Sequence, residues 1–225
     1  MTMPSAAQPA QSLGSLAVQI PGATAVFRKL KLDFCCGGQQ SLQQACADKH
    51  LDLDTVLGEI RALQHQQAMP ATPSASDLID HILQRYHEVH RQQLPELVRM
   101  ARRVEAVHRD HPQVPQGLAD HLEAMEQELL DHMAKEEQIL FPLLRQGGHP
   151  MVVHPIGMMR HEHVNHGVQI ERLAALTTQH QPPVGACNTW RALYAGTARL
   201  TEDLIEHIHL ENNLLFPAFE DRASH

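Results

Sequence analysis

Hydrophobic and polar positions follow two regimes along the chain. From about residue 77 onward, apolar residues recur at helical spacing over long stretches. The first runs through Ile79, Leu83, Tyr86, His90, Leu94 and Leu97, behind Ser76-Asp77, a good N-cap pair. Pro95 lies inside it and is expected to kink or split the helix. A loop over 108–117, with Pro112 and Pro115, leads to a second stretch over about 118–144, ended by Gly147, Gly148 and Pro150. A third covers about 155–179, before Pro182, Pro183 and Gly185, and a fourth about 188–220. Four amphipathic helices with short connections predict an up-down-up-down bundle, and no stretch reads as a strand.

Before residue 68 the apolar patterns are short, around 18–27, 42–47 and 56–63. They predict three or four small helices about a tight Cys35-Cys36-Gly37-Gly38 turn. Between the regimes, residues 68–76 read Ala-Met-Pro-Ala-Thr-Pro-Ser-Ala-Ser, the composition of a linker. The expected organisation is all-α: a small helical N-terminal domain over 1–67, a linker over 68–76, and a four-helix bundle over 77–225.

Composition narrows the function classes. With 225 residues, 43% of them apolar, the chain can bury a core without disulfides. Its cysteines, Cys35, Cys36, Cys46 and Cys187, lack framework spacing and read as reduced thiols, with Cys46 and Cys187 as packing residues. A formal charge of -8 argues against nucleic-acid binding. No run of about 18 apolar residues suggests a membrane span. Residues 1–19 lack a basic segment followed by an apolar one, so no signal peptide and a cytoplasmic location are expected. The anomaly is histidine, at 18 residues as frequent as lysine and arginine together.

Those histidines are patterned. His132-Met-Ala-Lys-Glu136-Glu-Gln-Ile-Leu-Phe141-Pro142 and His207-Ile-His-Leu-Glu211-Asn-Asn-Leu-Leu-Phe216-Pro217 repeat one another 75 residues apart. In each, a His and a Glu stand at i and i+4, on one helix face, where both reach one metal. A lone His-x-x-x-Glu is commonplace; its repetition in an extended context is not. Helices one and three extend the plan: His87 precedes His132 by 45 residues and His163 precedes His207 by 44, with His161 and His166 as competitors for the third-helix position. Four histidines and two shared glutamates suit a dinuclear site of iron, manganese or zinc. Glu128, one turn before His132, and Glu162, beside His163, are candidates for supporting the ligands or donating protons, against the alternative of solvated carboxylates. His108 and His111 read as surface residues, Trp190 and Tyr194 as core, Met158 and Met159 as packing. Neither His-Glu-x-x-His, nor the zinc-deaminase motif, nor paired Glu-x-x-His on two helices is present.

These residues resemble the haemerythrin-like di-iron bundle. Asp33-Phe-Cys35-Cys36-Gly-Gly, Arg85-Tyr-His87, Arg91-Gln-Gln-Leu-Pro-Glu-Leu and the two long His/Glu repeats are similar to the repair-of-iron-centres family of iron–sulfur cluster repair proteins, over nearly the whole chain. The resemblance implies iron ligands at His87, His132, Glu136, His163, His207 and Glu211, with Glu136 and Glu211 bridging two irons, an oxo bridge being a further option. It gives Cys35 and Cys36 a role in electron or iron transfer, or in a strained disulfide, where the plain alternative is a glycine turn that the thiols merely pack. Oxygen-carrying haemerythrins use five histidines, so four imply a looser, more labile centre. The implied function is repair of clusters damaged by nitrosative or oxidative stress, by iron supply without catalysis, in a homodimer whose partners are damaged iron–sulfur proteins or a cluster scaffold. The alternatives are a di-iron nitric oxide reductase and a module binding or sensing oxygen or nitric oxide.

Overall fold

The structure, a computed structural model, describes residues 7–64, 73–148 and 150–223; most of the expected linker, 68–72, and the first six residues lie outside these. Contacts divide the chain into two compact units, 1–74 with 208–217, and 75–207 with 218–225. Among the described residues the secondary structure is helical apart from an isolated bridge between Ser12 and Ser41, and no helix is long and apolar enough to cross a membrane.

The N-terminal unit holds α1 (Leu13–Gln19), α2 (Ala23–Lys29), α3 (Leu42–Asp48) and α4 (Leu53–Gln64). Helices of seven residues are too short to persist alone, so caps and packing define them. Ser12 and Ser41 cap α1 and α3, accepting from the backbone N–H of Ser15 and Gln44. Leu13, Leu16, Ile20, Phe27, Phe34, Leu42 and Ile60 form the core, with the Phe27 and Phe34 rings 5.8 Å apart. The Cys35–Gly38 turn is held by Asp33, whose Oδ1 accepts from the N–H groups of Cys35 (3.2 Å) and Cys36 (2.9 Å). Residues 208–217 join this unit through two amides: Asn212 Nδ2 donates to the Cys35 carbonyl and Asn213 Nδ2 to that of Phe34, both at 3.0 Å.

In the second unit, α5 (Ala75–Ile82) passes through a wide turn over Leu83–His87 into α6 (Glu88–Val107). Pro95 remains inside α6, so the departure from regular helix lies at His87 rather than at the proline. The second bundle helix is α7 (Leu118–Lys135), a wide turn over Glu136–Leu140 and α8 (Phe141–Arg145). The third, α9 (Val153–Leu176), ends three residues before the expected limit. Thr178, Gln179 and His180 take left-handed backbone there, and the Thr177 hydroxyl accepts from the His180 N–H. The fourth is α10 (Asn188–Leu210), a wide turn over Glu211–Leu215 and α11 (Pro217–Ala223). Arg85 ties the first bundle helix to the fourth through Asp203, at 2.5 Å. Trp190 and Tyr194 are core, as expected; Met159 is buried, but Met158, expected to pack, is exposed.

The wide turns are of the i→i+5 kind: the N–H of Glu88 donates to Leu83, that of Phe141 to Glu136 and that of Phe216 to Glu211. Two of them have a cause in the sequence. Pro142 and Pro217 have no N–H for the carbonyl four residues back, and their rings crowd it. Widening the preceding turn accommodates both effects without ending the helix. The two Leu-Phe-Pro segments therefore mark a local change of helical pitch.

Gly38 serves close approach. A Cβ there would lie 2.5 Å from the Phe34 carbonyl oxygen and 2.9 Å from Asn213 Oδ1, whereas one on Gly58, within α4, would meet nothing. Gly38→Ala should destabilise the N-terminal unit by about 1–3 kcal/mol, and Gly58→Ala should stabilise it by about 0.5–1 kcal/mol. Hydrogen exchange of the amides in α1–α4 resolves both effects.

Candidate metal centre

The inward stripe of α7 carries His132 and continues to Glu136; that of α10 carries His207 and continues to Glu211; His87 and His163 enter from α5–α6 and α9. All six side chains are buried. They form two overlapping groups whose ligand atoms lie within 4.8 Å of one another: His87, Glu136, His207 and Glu211, and His132, Glu136, His163 and Glu211. Both carboxylates belong to both groups.

The imidazoles face one another in pairs. His87 Nε2 lies 3.2 Å from His207 Nε2, and His132 Nε2 lies 3.1 Å from His163 Nε2. Two nitrogens at about 2.1 Å from one ion, in adjacent coordination positions, are about 3.0–3.4 Å apart, so each pair has the separation of two ligands on a common metal. Glu136 lies between the pairs, with Oε2 3.3 Å from His87 Nε2 and Oε1 3.4 Å from His132 Nε2. Both of its oxygens are buried without a hydrogen bond, a costly condition for a carboxylate unless cations offset it. Burial would raise its pKa, but His132, His87 and His207 outweigh burial and hold it well below the usual carboxylate range. The donor set fits a cation at each pair.

Carboxylates outside the pairs set the imidazole tautomers. Glu137 Oε1 lies 2.7 Å from His87 Nδ1 and is also bonded by Arg91; Glu162 Oε2 lies 2.8 Å from His132 Nδ1, its other oxygen by Lys135. An Nδ1–H donating to a carboxylate leaves the Nε2 lone pair for a metal and raises its basicity. Tyr86 stacks on His207 at 5.4 Å with the planes 7° apart. A surface depression bounded by Leu83, Glu137, Phe141, Pro142 and Arg145 stops one layer short of the centre, since Phe141 stacks on His87 and Glu137 bonds to it.

Of the carboxylates expected to support the ligands, Glu162 touches His132. Glu128 does not face the interior: it is exposed and accepts from the Gln169 side chain. The inward face of α7 is centred on Met125, Leu129 and the Glu136 that follows, and Glu128 falls at its margin. Glu137 went unremarked because its neighbour Glu136 carried the motif, although Glu-Glu directly after His-x-x-x is the signal that could have found it. His90 and His166 are buried beside the pairs, with ring centroids 5.6 Å from His207 and 4.9 Å from His132. Burial and the neighbouring histidines push His166 down to about 3 and His90 well below its ordinary range, so both are neutral. His161 is exposed; His111, which stands edge-on to Trp190, is half-buried, as is His108, with its Nε2 3.2 Å from Cys187 Sγ.

Cys35 and Cys36 place their sulfurs 3.7 Å apart, and the Cys35 thiol donates to Asp33 Oδ1 at 3.3 Å. Cys36, burial and Asp33 together push the Cys35 thiol well above its ordinary range, which keeps it protonated. Asp33, Cys35 and Cys36 offer a further group of three donors able to hold a metal.

The hydrogen bond from His132, then that from Lys135, brings the Glu162 carboxyl down to about 2 against an ordinary 4.5. A carboxyl depressed in the folded state stabilises fully above its unfolded pKa and loses that contribution as pH falls through the folded one. In metal-free protein, Glu162→Gln should cost about 1–2 kcal/mol at neutral pH. Urea titrations should find that gap constant down to about pH 4.5 and closing toward pH 2.

Residues 78–219 match the haemerythrin HHE cation-binding domain, and residues 9–64 the ScdA N-terminal domain, described as a domain of unknown function. The iron–sulfur cluster repair protein YtfE of Pectobacterium atrosepticum is 50% identical over 211 residues, 92% of this chain and 95% of its own. That of Yersinia pseudotuberculosis is 50% identical over 214 residues and that of Citrobacter koseri 47% over 209, with the same coverage. With both halves matched and nearly its full length aligned, the chain belongs to the iron–sulfur cluster repair family, in which a haemerythrin-type cation-binding domain follows a small ScdA-type domain.

Proposed function

We propose that the protein holds two iron ions and supplies iron to iron–sulfur clusters damaged by nitrosative or oxidative stress. The observation that carries this reading is Glu136, a buried carboxylate without a hydrogen bond that turns one oxygen toward each histidine pair. In this reading His87 and His207 bind one ion, His132 and His163 the other, and Glu136 and Glu211 bridge them. Imidazole and carboxylate donors without thiolate suit iron. Relatives named as iron–sulfur cluster repair proteins support damaged iron–sulfur proteins as the recipient; a cluster scaffold as the alternative recipient, and a cytoplasmic location, belong to the same reading.

Release of the cargo iron follows from the donors. A carboxylate exchanges one oxygen for water more readily than a thiolate leaves, so Glu136 and Glu211 allow stepwise loss while the imidazoles still hold the ion. Glu137 and Glu162 orient His87 and His132 for metal. The exposed Met158, Val164 and Val168 of α9 offer an apolar face suited to a homodimer.

A second reading, reduction of nitric oxide, is favoured by the thiol pair. Oxidation of Cys35 and Cys36 to a disulfide releases two electrons and two protons. Conversion of two nitric oxide molecules to nitrous oxide and water consumes the same number. Bound iron would supply the gas-binding position for that chemistry.

Glu136→Leu should abolish restoration of a damaged dehydratase cluster by iron-loaded protein, and metal-free wild type should restore nothing. Equal restoration by the metal-free protein would remove the donor reading. Glu137→Gln and Glu162→Gln should each weaken metal retention by roughly 10–100-fold, measured by chelator competition. Nitrous oxide formation from iron-loaded protein with a dithiol reductant, lost in Cys35→Ser, tests the second reading.

A further inference from the structure

Cys35 and Cys36 enter the second reading above only as a source of electrons, yet their turn has the spacing of a metal site. Asp33, Cys35 and Cys36 each bring a donor atom within 4.8 Å of the others. The sulfurs are 3.7 Å apart, and Asp33 Oδ1 lies 3.3 Å from the Cys35 sulfur. Two thiolates about 2.3 Å from one zinc ion, at the tetrahedral angle, are about 3.8 Å apart. A thiolate and a carboxylate oxygen on the same ion are about 3.5 Å apart. The three donors therefore already stand close to the separations that one ion requires. A disulfide fits the turn less well, because adjacent residues have Cα atoms about 3.8 Å apart, short of the roughly 4.4–6.8 Å that disulfides ordinarily span.

Backbone contacts hold this spacing. Asp33 Oδ1 accepts from the N–H groups of Cys35 and Cys36, Asn212 Nδ2 donates to the Cys35 carbonyl, and the Gln40 N–H donates to the Gly37 carbonyl at 3.0 Å. A Cβ on Gly37 would lie 3.0 Å from Asp33 Oδ2 and press on the carboxylate. None of these bonds uses a sulfur, so an ion on the thiols leaves the turn intact. Cys35 is buried, Cys36 half-buried and Asp33 exposed, so the donor set is open to solvent on one side.

We propose that Asp33, Cys35 and Cys36 bind one thiophilic divalent ion of the zinc class, in an open and exchangeable site. Thiolate donors favour zinc, whereas the histidine–glutamate groups offer only imidazole and carboxylate, so the chain sorts two kinds of metal by donor type. Three protein donors leave a fourth position for water, the pattern of exchangeable rather than closed zinc sites. Binding releases the thiol protons to solvent, and the proton that the Cys35 sulfur donates to Asp33 is one of them. Two thiolates and a carboxylate against a divalent ion leave one negative charge. While the ion is bound, both sulfurs are engaged and the pair cannot close to a disulfide, so the site restrains the electron supply of the second reading. The inference is independent of the two-iron reading.

Cadmium is the probe, because its ultraviolet thiolate-to-metal absorption reports sulfur ligands and ignores imidazole and carboxylate. Full-length protein with reduced thiols should develop this band up to one cadmium per chain, and zinc should displace it. Cys35→Ser and Cys36→Ser should each weaken cadmium by roughly 100-fold or more, and Asp33→Asn, which keeps an oxygen for the turn N–H groups, by about 10-fold. Cys187→Ser should leave the band unchanged. A wild type without the band, or a band that persists at full affinity in Cys35→Ser or Cys36→Ser, overturns the inference. Ferrous iron that displaces cadmium as well as zinc does also overturns it, by making the pair an iron site. Should the serine variants not fold, alkylation of wild type decides: zinc should slow labelling of Cys36 by iodoacetamide several-fold, and equal rates with and without zinc count against the site.

Discussion

The centre depends on the burial of one carboxylate. Glu136 has exchanged hydration for an interior in which the imidazole nitrogens of His87 and His132, at 3.3 and 3.4 Å, approach its oxygens, and a carboxylate in that position remains ionised only through positive charge close by. The facing imidazoles, the π turn that begins at Glu136, and the outer carboxylates that fix the Nδ1 protons are the arrangement around that requirement. A bundle optimised for stability alone would fill the same volume with leucine. The cluster of buried His and Glu is a local departure from stable packing, made where function needs it.

The bundle and the six-residue set were legible because the signal was duplicated. A helical period puts residues i and i+4 on one face, and the same pair recurring 75 residues later, ahead of the same Leu-Phe-Pro, leaves little room for chance. Helix type and number follow from apolar periodicity, which packing in the bundle core reinforces. The π turns were not legible, because periodicity averages over a whole helix and a single extra residue leaves it almost unchanged. The prolines contained the information, but a proline reads first as a stop. Pro95, in contrast, stays within regular helix.

The residues around the centre were harder to sort, for a related reason. Glu128 stands four residues before His132 and Glu162 one before His163, and both are candidates by sequence, yet one lies at the margin of the inward stripe and the other against His132. A difference of a few tens of degrees around a helix separates solvent from interior. Only packing against the neighbouring helices fixes it. Glu137 illustrates the converse: it lies beside Glu136 in the chain but points a different way, toward His87 on another helix. His90 was visible only as a member of the apolar stripe, where a histidine is indistinguishable from a buried leucine.

Residues 208–217 carry a consequence of a different kind. They continue the fourth bundle helix along the chain, yet by contact they belong with residues 1–74, fastened through Asn212 and Asn213 to the backbone of the cysteine turn. The boundary drawn along the polypeptide is therefore not the boundary drawn through its contacts. Modular exchange at residues 68–76 would transplant a small domain without the two amides that receive it, so the halves of this chain are expected to be inherited together and to accept substitutions as a set.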